Sequence, residues 1–107
     1  MTLESFGELI ATLDIKSVYG PYQDATATPY ISYAAIERNV IHADGVVVYG
    51  EEWIQLHLVT HSRDLTLEAA VEKLLTDNGI AFDFPDFDFD EKQRIHTTTY
   101  DFMIEGG

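Results

Sequence analysis

The chain has 107 residues, 46% of them hydrophobic, and 19 acids against six basic residues give a formal charge of −13. That length fits a single domain over 1–107 that buries roughly 65% of its unfolded surface, and the apolar content excludes a wholly disordered chain. There is no cysteine, which excludes disulfides, zinc–thiolate centres and cysteine nucleophiles, while so acidic a surface repels nucleic acid and anionic membranes at long range.

The first residues, Met-Thr-Leu-Glu-Ser-Phe-Gly-Glu-Leu, lack the basic region and long apolar core of a signal peptide. The longest apolar runs, such as 46–49, fall far short of the about 20 residues needed to cross a bilayer. Leu3, Phe6, Ile10 and Leu13 recur at helical spacing and predict a helix over 2–13. Thr2 is its expected start, with Ser5 and Glu8 as a second candidate capping pair. Residues 14–29 read as a connector rich in Gly, Pro, Thr and Ala, broken at Gly20-Pro21 and Thr28-Pro29. A loop of that length is usually functional or mobile.

Residues 30–36 predict a strand, and 37–45 a second mobile loop ending in the turn signal Asp44-Gly45. The β-branched run 46–49 predicts a strand, 49–51 a turn, and 52–61 a longer strand. On that last strand Ile54, Leu56 and Leu58 face one way, and Trp53, Gln55, His57 and Val59 the other. A second helix follows. Thr66 is its expected N-cap, and Leu67, Ala70, Val71, Leu74 and Leu75 form its apolar stripe. Glu68 and Glu72 are expected on its solvent face, and Asn78-Gly79 closes it with a left-handed glycine.

Residues 79–91 alternate phenylalanine with aspartate. Phe82 and Phe84 share one parity, Phe87 and Phe89 the other, and the phase flips at Pro85, which marks a bulge, a break or an edge. Residues 93–104 close the chain as a strand with Thr98, Tyr100, Phe102 and Ile104 on one face and Thr97 and Thr99 on the other. The predicted fold is α+β, in the order α-β-β-β-α-β-β: a mostly antiparallel sheet of about five strands, with two helices packed on one face.

No catalytic, cofactor-binding or metal-binding set emerges. Asp86, Asp88 and Asp90 alternate like the start of a calcium loop, but the positions requiring Gly and Glu hold Glu91 and Thr97. His57 and His61 would lie about 13 Å apart on a strand, too far to share a metal. The serines lack a nucleophile elbow, and no Gly-rich phosphate loop is present. The chain is therefore expected not to be an enzyme. Two features point to assembly. Tyr49 and Trp53 flank an expected hairpin turn, with Trp53 opposite in parity to the apolar face, and are candidate contacts with another chain. Asp83, Asp86, Asp88, Asp90 and Glu91 form an acidic surface that could serve solubility, mimic DNA phosphates, or line a channel through which DNA slides without sticking.

The ordered set Tyr19-Gly-Pro-Tyr22, Thr28-Pro-Tyr-Ile-Ser-Tyr33, Asn39 through Ala43-Asp44-Gly45, Trp53-Ile-Gln-Leu-His-Leu-Val-Thr60, Asp64 through Glu68, Val71-Glu72, Asn78-Gly79-Ile80-Ala81-Phe82 and Tyr100-Asp-Phe-Met-Ile104 carries a similarity that extends over roughly residues 5–104. It resembles small proteins from the head–tail region of long-tailed bacteriophages and prophages: head–tail connector, tail completion or tail terminator proteins. The resemblance implies a homo-oligomeric ring, commonly a hexamer, that caps the tail tube and joins it to the head. The implied partners are the tail tube and head connector proteins, with no sequence-specific nucleic acid, membrane or cofactor. The implied location is the virion, and the host cytoplasm during assembly. The acidity of 83–91 departs from the family pattern. The alternative reading is an acidic DNA-mimic inhibitor of a host DNA-binding protein.

Overall fold

Thr2 opens the first helix, α1 (Leu3–Ile10), as predicted: its hydroxyl accepts from the Ser5 amide at 3.1 Å. A 3₁₀ turn, Ala11–Leu13, ends it at Asp14, whose φ of 59° reverses the chain. The computed structural model describes residues 1–20, 28–43 and 46–105, and their side chains except those of 39–43 and 46–49.

Five strands follow: β1 (Lys16–Tyr19), β2 (Tyr30–Ala43), β3 (Val46–Thr60), β4 (Asp86–Asp90) and β5 (Ile95–Glu105), with the second helix α2 (Leu65–Asp77) between β3 and β4. They form one sheet in the order β1-β2-β3-β5-β4, antiparallel except for the β1–β2 pair. The fold class and element order are those predicted, but the strands are drawn differently. β1 lies inside the expected 14–29 connector, whose residues 21–27 lie outside the described residues. β2 continues through 37–43, and the expected turn at 49–51 is continuous strand, so the two strands expected over 46–61 are the single β3. The remainder of the second expected loop, residues 44 and 45, lies outside the described residues.

Ladder pairing explains why Gly50 does not turn: it sits opposite Val40, inside a register that runs on to Ala43–Val46. Between Ala35 and Glu37 the register slips by one, so Ile36 is bulged out and exposed. The phase flip read at Pro85 is a break. Phe82 makes an isolated bridge to Phe102, Pro85 is buried, and β4 starts at the next residue.

The core lies on one face of the sheet, beneath both helices. Ile31, Ile54, Leu56, Leu58, Tyr100, Phe102 and Ile104 meet Phe6 and Ile10 of α1 and Val71 and Leu75 of α2. The Phe6 ring packs at 5.6 Å from Tyr33 and 5.2 Å from Phe102. Gly7 permits this approach, since a Cβ there would stand 2.6 Å from the Tyr33 hydroxyl.

In α2 the N-cap is Asp64 rather than Thr66; its carboxylate accepts from the Leu67 amide at 3.0 Å. The buried face is also turned from the predicted stripe. Val71 and Leu75 are buried, Leu67 and Leu74 half-buried, and Ala70 exposed. Glu68 is buried and Glu72 half-buried, where solvent was expected. Their partners explain this. Glu68 pairs with Arg63 at 3.3 Å, and Glu72 accepts the hydroxyl of the fully buried Tyr100 at 3.2 Å. A buried hydroxyl needs an acceptor, and α2 supplies one from its inner face. Burial, then Glu72, holds the Tyr100 hydroxyl far above its ordinary pKa. Gly79, at φ 72°, ends α2 in a Schellman arrangement: its amide bonds the Thr76 carbonyl, the Ile80 amide bonds that of Leu75, and Ile80 is buried. Among the described residues no helix is long and apolar enough to cross a membrane.

Candidate functional site

The β2–β3 hairpin outruns the sheet. β5 pairs with β3 only from Thr60 to Glu51, and β1 pairs with β2 only from Tyr30 to Tyr33. Residues 40–43 and 46–50 therefore continue as a two-stranded ribbon, with no third strand among the described residues. At about 3.3 Å per residue the ribbon carries the chain about 17 Å past the last β5 pairing. This fits overall extents of 53 × 26 × 23 Å.

Trp53 stands at the neck of the ribbon. It lies between Glu37 on β2 and Met103 on β5, on the face opposite the core, and is half-buried. It borders a groove of about 540 Å³ that passes the end of β5, lined also by Phe82, Asp83, Asn78 and Met103. Across the neck, on the core side, Arg38 pairs with Glu52 at 2.7 Å. Tyr49 lies farther out on the ribbon, opposite Ile41, and its side chain is outside the described residues. The fold thus places the Tyr49 backbone and Trp53 on one protruding element, rather than beside the predicted turn.

The acidic residues divide by environment. Asp86, Asp88 and Asp90 project on the outer face of β4, paired with Thr99, Thr97 and Ile95, and all are exposed. Asp83 is exposed before the break, its amide bonded to the Asp101 carbonyl, and Glu91 is exposed in the turn 91–94. The Asp90 carboxylate is occupied by the Lys92 and Gln93 amides at 2.9 and 3.2 Å, so it shapes the β4–β5 turn. Among the described residues no three His, Asp or Glu side chains are grouped to hold a metal. Calorimetric titration with calcium is expected to show no stoichiometric site tighter than about 10 μM, because the strand lacks the Gly turn and bidentate Glu of a calcium loop.

The outer face carries a polar hollow of about 260 Å³ bordered by Tyr30, Ser32, His57, Val59, Asp88 and Thr97. His57 Nδ1 lies 2.9 Å from the Thr99 hydroxyl, and Gln55 donates to Asp101 at 3.2 Å. Burial pushes the His57 imidazole below its ordinary value of 6.5, outweighing the upward pull of Asp101. A lowered folded-state pKa means that the unfolded chain binds the proton more readily. The contribution of His57 to stability is therefore complete above about pH 6.5 and is lost as pH falls from there through the lower folded-state value. The stability gap between wild type and His57→Gln is expected to shrink from about pH 7.5 to 5.5, measured by urea unfolding at each pH. The signal that sequence reading missed here is Thr99, whose cross-strand place opposite His57 follows only from the register.

No protein-family model and no curated protein matches the sequence. Solved structures do. A chain in the virion of a native gene transfer agent particle shares the fold at a TM-score of 0.55 and 12% identity, over 97% of this chain and 89% of that one. The α+β fold of this protein, taken nearly end to end, is therefore one that a virion particle also contains.

Proposed function

We propose that this protein is a non-enzymatic structural component of a phage virion, set at the head–tail junction, where copies form a ring that caps the tail tube and joins it to the head. The observation that carries the proposal is the fold shared with a virion chain over 97% of this chain. The ribbon supports it. A two-stranded ribbon is marginal in water by itself, and a subunit that lays its ribbon on the next gives those strands a partner. Repeated head to tail, such a contact closes into a ring. Trp53 and Tyr49 are its proposed anchors. Strong negative charge fits a lumen that DNA must traverse without binding, and keeps free subunits apart until they meet the tube.

Negative-stain microscopy of phage particles made without this protein tests the proposal. Filled heads separate from tails, with the tails overlong or unattached, are expected. Normal joined particles would overturn it. A protein that ignores tail tubes and instead binds a basic host enzyme would establish the DNA-mimic alternative.

A further inference from the structure

β4 is an edge strand. It pairs with β5 alone, all five of its residues are exposed, and no strand covers its other side among the described residues. Its two faces differ in chemistry. Asp86, Asp88 and Asp90 point to the outer face, while Phe87 and Phe89 point toward the helix side, each 44% exposed. On that side the apolar surface continues. Phe84, 87% exposed, stacks edge-on against Phe87 at 6.2 Å, and with Leu65, 66% exposed, it borders a groove of about 550 Å³ beside α2. The Arg63 guanidinium lies 4.1 Å above the Phe87 ring and is tied to Glu68, which fixes one wall. A contiguous apolar patch with a charged rim marks a contact surface, and these rings contribute nothing to the core cluster.

We propose that the β4 edge and this groove bind an extended segment of a different protein, one in which basic and apolar residues alternate. A strand added to β4 takes its main-chain hydrogen bonds from the open edge, and its side chains alternate between the two faces. Those on the helix side cover Phe87, Phe89 and the groove. Those on the outer face fall among Asp86, Asp88 and Asp90, where Lys or Arg is complementary and an acid is repelled. The same repulsion excludes the β4 edge of a second copy. No segment of this sequence alternates two basic residues with apolar ones: Lys92 and Arg94 flank a glutamine, in a turn where Arg94 has a φ of 55°. The occupant is therefore another polypeptide. This holds whether or not the protein forms a ring.

The test is an amide-shift titration of the isotope-labelled full chain with the capped peptide Lys-Val-Lys-Val-Lys-Val-Lys at physiological salt. Saturable shifts confined to Leu65 and residues 84–90 are expected. Binding should weaken by about tenfold or more for the block isomer Lys-Lys-Val-Val-Val-Lys-Lys, for one of the two alternately N-methylated peptides, and for the Phe84→Ser protein. Phe84 is exposed enough that its replacement leaves the fold intact, as the unperturbed remainder of the spectrum would verify. Equal affinity for the alternating and block peptides would reduce the effect to attraction between polycation and polyanion, and would overturn the proposal. So would shifts centred elsewhere, or no saturation.

Discussion

Leu75→Ala is expected to lower the unfolding free energy by about 2–5 kcal/mol, a large part of what a domain of this size possesses. Leu75 is fully buried in the cluster that joins α2 to Ile54, Leu56 and Tyr100. Its carbonyl also accepts the Ile80 amide at 2.9 Å. Removing the side chain leaves a cavity under the C-terminal turn of α2. Leu74→Ala is the internal control. It sits one residue away on the sequence-predicted stripe, but is only half-buried, so its loss should be the smaller of the two. Urea unfolding of both variants decides the matter. If Leu74 proves the costlier, α2 lies rotated from the orientation described.

Cutting back the ribbon should have the opposite profile, abolishing assembly with little loss of stability. Asn39 and Glu51 face one another across the hairpin, so residues 40–50 can be replaced by Asn-Gly, a two-residue turn matched to antiparallel strands. Among the side chains described between 36 and 53, none belongs to the core. The shortened chain should therefore unfold within about 1 kcal/mol of wild type, as for changes remote from the core. Wild-type protein is expected to oligomerise on tail tubes, or as salt approaches about 1 M, where the Debye length falls to about 3 Å and like charges cease to repel. The shortened protein should remain monomeric under both conditions by light scattering. Rings formed without the ribbon would remove it from the assembly interface.

What the sequence disclosed follows from which signals are local. The alternation of Ile54, Leu56 and Leu58 against Trp53, Gln55 and His57 matches the burial along β3, because period-two patterning depends on one strand and one face. The proline phase break at Pro85 is equally local. β1 was hidden because its four residues, Lys-Ser-Val-Tyr, become a strand only by lying parallel to β2. Gly50 reads as a turn residue, and the ladder through Val40 overrides it. Glu68 and Glu72 read as solvent residues because their partners, Arg63 and Tyr100, reach them only across a turn and from the sheet. The candidate assembly residues fared similarly. The parity of Trp53 was legible, whereas its position at the neck of a protruding ribbon depends on where β5 stops pairing.

The place of β5 in the sheet has a consequence for how the protein is made. β5 comes last of the strands in sequence, yet it lies between β3 and β4 and brings Tyr100, Phe102 and Ile104 to the core. The β2–β3 hairpin can close within microseconds as a local event. Joining Trp53 to Met103 must wait for the rest of the polypeptide, and such long-range closures slow folding. Until then a ribosome-bound chain displays the open side of β3 and an uncovered apolar face, a state prone to aggregation and proteolysis. A message truncated before Tyr100 would not yield a slightly smaller domain. It would yield a chain without a finished core, so synthesis itself filters which molecules reach the folded state.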